Sequence, residues 1–170
     1  EVDGLDRVTE GYLGFARRGD LRLAKARLGS ILRDSISRVR GEMEAAEIKV
    51  VVEDLAQSGC LVDYDRLVQV NVNILLYARQ AIGSNGRIEA KFVEKSGVRR
   101  VEVKYNGPAI PARIHSTVCQ PFFTTKTEGS GLGLPVVKQV VEALGGKVGL
   151  DSRPGEGTTV WYELPCAKST

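Results

Sequence analysis

The sequence predicts an α+β sandwich, in which helices cover one face of a mixed sheet. Helical and strand-like patterns occur in blocks along the chain. Two pairs of strand-like segments are each joined by a short turn, which indicates mainly antiparallel pairing. No internal repeat is visible. This combination is typical of a two-layer α+β domain.

The amino-terminal part contains two amphipathic helical patterns. Residues Glu1 to Arg18 place apolar side chains at steps of three and four with charges between them, and Gly19–Asp20 interrupts the pattern. A second helix is predicted from about Leu28 to Ala46. The apolar stripe of the first helix requires a partner surface, either in this domain or on another chain.

The next segments predict strands followed by a longer helix. Ile48–Val52 is short and mostly β-branched, which favours a strand, and Leu61–Val62 starts another. Asp63 or Asp65 can cap a helix that runs to about Ile82, where a glycine ends it.

The carboxyl-terminal part predicts two hairpins separated by a loop and a helix. The segments, in order, are a hairpin of Arg87–Glu94 and Val98–Tyr105 around Ser96–Gly97, a loop from Asn106 to Ser130, a helix from Leu132 to Leu144, and a hairpin of Lys147–Ser152 and Thr158–Leu164.

The composition is that of a globular domain and excludes several classes of protein. Of the 170 residues, 42% are hydrophobic and 26% are charged, which excludes a disordered chain or a fibre. A net charge of +3 is too small for a dedicated nucleic-acid binder. The longest apolar run, Ile74–Ala78, is far shorter than the roughly 20 residues that span a membrane. We therefore expect no nucleic-acid partner and no membrane contact by this piece of chain.

The cysteines predict neither a disulfide framework nor a zinc site. Cys60, Cys119 and Cys166 are odd in number and widely spaced, without a CxxC pair. We expect them to be small buried hydrophobes in a cytoplasmic protein. The chain starts at Glu1 without a methionine or a signal peptide, so we expect a piece of a longer protein.

A glycine-rich segment at the end of the long loop has the properties of a phosphate cradle. Residues Gly129 to Leu134 read GSGLGL and run into a helix, whose first N–H groups attract anions. Leu134 stands where a dinucleotide fingerprint has its third glycine, and no strand precedes the segment. A plain turn is the alternative interpretation, because such segments are common in turns.

Five motifs in order resemble the catalytic and ATP-binding domain of bacterial sensor histidine kinases, in the GHKL ATPase superfamily. They are an N box at Gln69–Ala78, a first glycine box at Tyr105–Pro111, an F box at Gln120–Lys126, a second glycine box at Gly129–Leu134 and a glycine turn at Gly155–Thr159. The resemblance covers almost the whole chain and implies that family's two-layer α/β sandwich. It divides the chain into the end of a dimerisation helix, residues 1–18, and an ATP-binding domain, residues 19–170.

The resemblance implies a set of retained nucleotide-binding positions. These are Asn73, Asn106, Gly107, Phe123, Thr125, Lys126, Gly129, Gly131, Leu132 and Gly133. The Phe122–Phe123 pair can also be simple hydrophobic packing, with anchoring of the lid as its consequence.

Three positions depart from the family pattern. The family has a second N-box asparagine that helps to hold Mg²⁺, where this chain has Tyr77, and a phenol is a poor ligand for that ion. The family has an aspartate that accepts a hydrogen bond from adenine, where this chain has Tyr105. Ala109 replaces a glycine that lies close to the base. We therefore predict a degenerate site with no assigned catalytic residue and no metal ligand.

His115 is the single histidine and falls in the lid, so it does not match the phosphoacceptor of the family. We expect an exposed loop residue, and any acceptor histidine of the parent protein would lie upstream.

The sequence thus predicts a two-component signalling domain with impaired nucleotide binding, a pseudokinase that acts through a response regulator or another kinase. Homodimerisation through the upstream helices is implied by the resemblance. No cofactor is expected in that case. The alternative is an active kinase domain that uses ATP and Mg²⁺ and phosphorylates a histidine outside this chain.

Overall fold

The computed structural model describes residues 21–53, 59–108 and 133–166, which contain seven strands and four helices. The strands are β1 (Ala24–Arg27), β2 (Ile48–Glu53), β3 (Gly59–Val62), β4 (Gly86–Lys95), β5 (Val98–Tyr105), β6 (Lys147–Arg153) and β7 (Gly157–Pro165). The helices are α1 (Leu28–Arg38), α2 (Arg40–Ala45), α3 (Tyr64–Ile82) and α4 (Gly133–Ala143). The predicted helix Glu1–Arg18 lies outside the described residues, as does most of the predicted loop.

Five strands form one mixed sheet, the large sheet, and two form the small sheet. The large sheet has the order β2-β4-β5-β7-β6, and the small sheet pairs β1 with β3. Among the strands of the described residues, only β2 and β4 run parallel, while β4–β5, β5–β7, β6–β7 and β1–β3 are antiparallel pairs. The predicted mixed sheet with mainly antiparallel pairing is confirmed.

The central strand β5 shows why one face of the large sheet is buried. Its side chains alternate, so that Arg99, Val101, Val103 and Tyr105 are each 3% exposed or less and face the helices. The buried residues of α1, α3 and α4 join them in one core. The predicted two-layer α+β architecture is confirmed. No helix among the described residues is long and apolar enough to cross a membrane.

Local signals place the longest helix and the first hairpin as predicted. Asp63 Oδ1 accepts a hydrogen bond from the Arg66 N–H at 3.2 Å, so Asp63 is the residue that caps α3. Gly83 follows the helix with a φ of 81°. Ser96 and Gly97 both have positive φ, 52° and 79°, which matches a tight hairpin turn.

Two elements differ from the prediction. The single helix predicted over Leu28–Ala46 is two helices, because Val39 leaves helical geometry with φ −106° and ψ 7°. Strand β1 was not predicted, since its residues AKAR are mostly exposed and show no apolar alternation. Its extended conformation comes from pairing with β3, a contact that local pattern does not encode.

The prediction that the cysteines are unpaired hydrophobes is wrong for two of the three. Cys60 and Cys166 form a disulfide, with Cα atoms 5.3 Å apart and a sequence separation of 106 residues. Each residue is 5% exposed, so their burial was expected correctly. A bridge that closes so long a loop stabilises the fold by about 4–5 kcal/mol in the chain-entropy description. Cys119 lies outside the described residues.

Two buried tyrosines of the core differ in how their hydroxyl groups are satisfied. Tyr162 on β7 donates to Asn71 Oδ1 on α3 at 2.7 Å, and both residues are 1% exposed. Tyr105 at the end of β5 is also 1% exposed, but its hydroxyl has no partner of hydrogen-bonding geometry among the described residues. An unpaired buried hydroxyl costs free energy, whereas a paired one does not.

These two side chains give a matched pair of variants for stability. We expect Tyr162→Phe to lower the free energy of unfolding by about 1–3 kcal/mol, because it leaves Asn71 Oδ1 unsatisfied. We expect Tyr105→Phe to leave it unchanged or raise it, because no hydrogen bond is lost. Urea unfolding of both variants checks this, and equal destabilisation by the two changes would contradict the assignment.

Candidate functional site

Helix α3 meets the start of α4 at Asn73, the first of the retained positions. Asn73 is half-buried, and its Nδ2 donates to the Gly133 carbonyl oxygen at 3.3 Å. The contact joins the N-box helix to the last residues of the predicted phosphate cradle. This contact uses one N–H of the side-chain amide, so Asn73 Oδ1 and the second N–H take no part in it.

One turn further along α3, Tyr77 packs against Tyr105 of β5. The two ring centroids are 6.5 Å apart with an interplanar angle of 73°, an edge-to-face arrangement. Such a pair contributes about 0.5–1.5 kcal/mol beyond its buried area. The two positions at which the sequence departs from the family pattern therefore contact each other across the helix and the sheet.

Tyr105 is set deeply in this site. Burial raises the pKa of its hydroxyl well above the ordinary value, and the neighbouring Tyr77 raises that pKa further. The Thr158 hydroxyl acts in the opposite direction on the pKa. Thr158 Oγ1 forms its hydrogen bond with Ser152 Oγ at 2.7 Å, and not with the Tyr105 hydroxyl. Tyr105 is therefore neutral at physiological pH and offers no carboxylate-like acceptor.

Asn106 and Gly107 follow Tyr105 and are used by the fold. Asn106 Oδ1 accepts a hydrogen bond from the Arg87 N–H at 2.6 Å, which extends the β4–β5 pairing by a side chain. Gly107 passes close to the end of α3, since a Cβ atom on it would lie 3.4 Å from the Ala81 carbonyl oxygen. Both residues are also exposed to solvent.

Gly157 and Thr158 belong to this site, although the sequence analysis did not name them as site residues. Gly157 has a φ of 77°, and a Cβ atom there would lie 2.6 Å from the Tyr105 carbonyl oxygen. Thr158 is directly opposite Tyr105 in the β5–β7 register and is 1% exposed. The glycine turn was visible in the sequence, but the register that brings it to Tyr105 was not.

Several predicted site residues lie outside the described residues. They are Ala109, Phe123, Thr125, Lys126, Gly129, Gly131 and Leu132, together with His115. Within the described part of the chain, no group of three or more histidine, cysteine, aspartate or glutamate side chains is placed to hold a metal ion.

Known proteins match both the sequence and the fold. Residues 62–168 match the family described as histidine kinase-, DNA gyrase B-, and HSP90-like ATPase. The sensor histidine kinase ZraS of Escherichia coli (strain K12) is 34% identical over 167 residues, which are 97% of this chain and 36% of ZraS. The C4-dicarboxylate transport sensor protein DctB of Rhizobium meliloti (strain 1021) is 32% identical over 163 residues, which are 92% of this chain and 26% of DctB. The chain thus spans about a third or less of these relatives.

Solved structures agree with this match. The catalytic domain of histidine kinase ThkA superposes with a TM-score of 0.79 at 27% identity, covering 86% of this chain and 97% of that one. Full-length ShkA in complex with AMPPNP superposes with a TM-score of 0.83 at 26% identity, covering 99% of this chain and 37% of that one. The chain belongs to the histidine kinase-, DNA gyrase B- and HSP90-like ATPase family and has the fold of a histidine kinase catalytic domain.

Proposed function

We propose that this chain is a two-component signalling domain with impaired nucleotide binding, which acts through partner contacts. The observation that carries the proposal is the edge-to-face pair of Tyr77 and Tyr105. Two aromatic rings stand where the family has a metal-holding amide and a base-reading carboxylate.

The metal position is the first reason. Mg²⁺ prefers carboxylate, phosphate and water oxygens, and the neutral phenol of Tyr77 is not among them. Asn73 supplies one amide oxygen, and its Nδ2 donates a hydrogen bond to the Gly133 carbonyl oxygen. The side chains at these two positions therefore do not fit the metal as the family pattern holds it.

The adenine position is the second reason. A hydrogen bond to a charged group is worth about 1.5–3 kcal/mol, so its loss lowers affinity roughly tenfold to a hundredfold. The Tyr105 ring is 1% exposed and is packed between α3 and β7, so it does not turn outward to replace the lost acceptor. The effects at Tyr77 and Tyr105 act on one ligand and reinforce each other.

An active kinase domain is the second candidate function. Asn73 and Gly133 remain in contact, as expected of a preserved end of the phosphate cradle. In that case ATP and Mg²⁺ are held by the cradle and the lid, with unusual contacts from the tyrosines. Direct titration with nucleotide distinguishes the two functions.

A response regulator or a second kinase is the proposed partner class. ThkA, whose catalytic domain has the same fold, has also been solved in complex with the response regulator protein TrrA. We further propose a cytoplasmic location, dimerisation through residues 1–18 and the helices upstream, and an ATP-binding-like domain over residues 19–170.

The first test is nucleotide binding. We expect calorimetry of the 170-residue chain to show no Mg²⁺-dependent binding of ATP or AMPPNP under conditions in which full-length ShkA, which has been solved in complex with AMPPNP, serves as the binding control. The physical reason is the combined loss at Tyr77 and Tyr105. Tight binding that disappears with a chelator would contradict impairment and favour the active kinase.

Restoring the family residues is the second test. We expect the triple change Tyr77→Asn, Tyr105→Asp, Ala109→Gly to recover measurable binding of Mg²⁺-ATP, while single changes do little because the family pattern would place the three positions around one ligand. The matched control is Tyr77→Phe with Tyr105→Phe, which keeps both rings and adds no ligand group. Loss of the Tyr105 ring costs about 3–5 kcal/mol of stability, so circular dichroism must confirm that the triple variant is folded. A folded triple variant that binds nothing at millimolar ATP would show that other residues close the site.

The third test concerns phosphate transfer. We expect no acid-labile phosphate on the chain after incubation with labelled ATP, because His115 does not match the phosphoacceptor position of the family pattern and the sequence contains no other histidine. The control is His115→Ala. Label that appears on the wild type and vanishes in this variant would overturn the prediction.

A further inference from the structure

A covalent bond joins the small sheet to one end of the large sheet. Cys60 lies in β3 of the small sheet, and Cys166 directly follows β7, the fourth strand of the large sheet. Their Cα separation of 5.3 Å is within the usual range of about 4.4–6.8 Å, so the backbone already holds the two side chains in position for pairing.

Besides the disulfide, hydrogen bonds and core packing hold the small sheet in place. Arg99 Nη1 of β5 donates to the Gly59 carbonyl oxygen at 2.6 Å, and Asp63 Oδ2 accepts from the Arg22 N–H at 2.9 Å. Leu61 is 60% exposed, so one face of β3 buries little apolar surface. The opposite face of β3 lies in the core, where Cys60 and Val62 are 5% and 1% exposed, and the disulfide adds a covalent attachment to this packing.

A buried arginine contacts the backbone next to Cys60 and is paired with the strand that leads to Cys166. The Arg99 guanidinium is buried beside Gly59, the residue that precedes Cys60. Arg99 is also opposite Leu164 on β7, and the Leu164 carbonyl accepts from the Cys166 N–H at 3.0 Å. The negative partner Glu94 is 3.5 Å from Arg99 and is 43% exposed, so its charge is screened by solvent. A buried cation stabilises the thiolate, which is the reactive form of cysteine.

We propose that Cys60 and Cys166 form a reversible dithiol–disulfide switch that tightens or loosens the attachment of the small sheet. The oxidant is hydrogen peroxide and the reductant is a dithiol. One thiolate attacks an oxygen atom of the peroxide, so that an S–O bond forms and the O–O bond breaks. The hydroxide that leaves takes up the proton that the thiol lost and becomes water. The second thiol attacks the resulting sulfenic acid, the S–S bond forms and a second water leaves. A dithiol reverses the change by exchange, returning both hydrogens to the cysteines and becoming a disulfide itself.

The switch lies far from the candidate nucleotide site. Arg99 and Tyr105 are at opposite ends of β5, about 20 Å apart at the rise of an extended strand. Strand β1 of the small sheet is the first described strand after residues 1–20 and leads directly into α1. Oxidation therefore sets how firmly the start of the domain is held, and does not act on Tyr77 and Tyr105.

The experiment uses the full chain with Cys119→Ser, so that only the pair remains. After dithiothreitol in native buffer, one equivalent of hydrogen peroxide should lower the intact mass by two hydrogen atoms and link the peptides of Cys60 and Cys166. Amide hydrogen exchange in β1 and β3 should be at least about tenfold faster in the reduced protein, while Val101 and Val103 of β5 stay protected.

A second variant separates the bond from oxidation elsewhere. In Cys60→Ala with Cys119→Ser, exchange in β1 and β3 should be fast and unchanged by peroxide. If this variant does not fold, reduction and reoxidation of the parent chain give the same comparison. The proposal is overturned by a mass gain of oxygen in place of the loss of hydrogen, by a bond that dithiothreitol opens only in denaturant, or by equal exchange in both redox states.

Discussion

The inward-facing row of side chains on β5 is the constraint on which the rest of the structure depends. β5 is the middle strand of the large sheet, so its register with β4 and β7 fixes which residues enter the core. A shift by one residue would turn Arg99, Val101, Val103 and Tyr105 outward and bury charged neighbours instead. Both ends of this row have special roles, since Arg99 reaches the small sheet and Tyr105 reaches α3.

Much of the fold could be predicted because its signals are local. The cap at Asp63, the turn at Ser96–Gly97 and the alternation along β5 each lie within a few residues of the element they define. What could not be predicted depends on partners distant in sequence. β1 is extended because β3 pairs with it, and Cys60 meets Cys166 across 106 residues. The odd number and wide spacing of the cysteines gave no indication of that pair.

The same distinction between local signals and contacts distant in sequence applies to the candidate site. The helical spacing of Asn73 and Tyr77 put both on one face of a helix, and a family resemblance marked Tyr105 as unusual. The contact between Tyr77 and Tyr105 needs the packing of α3 on the sheet, and the position of Thr158 needs the register of two strands that are not consecutive. Retained positions such as Asn106 also gained a structural explanation, because its side chain binds the backbone of Arg87.

The burial of Tyr105 connects two features of the proposed impairment, which are the loss of the acceptor for adenine and the filling of the space around it. A carboxylate at a position 1% exposed would cost several kcal/mol unless water, a hydrogen-bond donor or a ligand reached it. A relative with aspartate there must therefore keep this space open. A tyrosine fills the space with a ring that packs on Tyr77 and no longer needs solvent. In the proposed function, loss of the acceptor and filling of the space are thus consequences of one substitution, and the Tyr77 ring packs against the ring that fills the space.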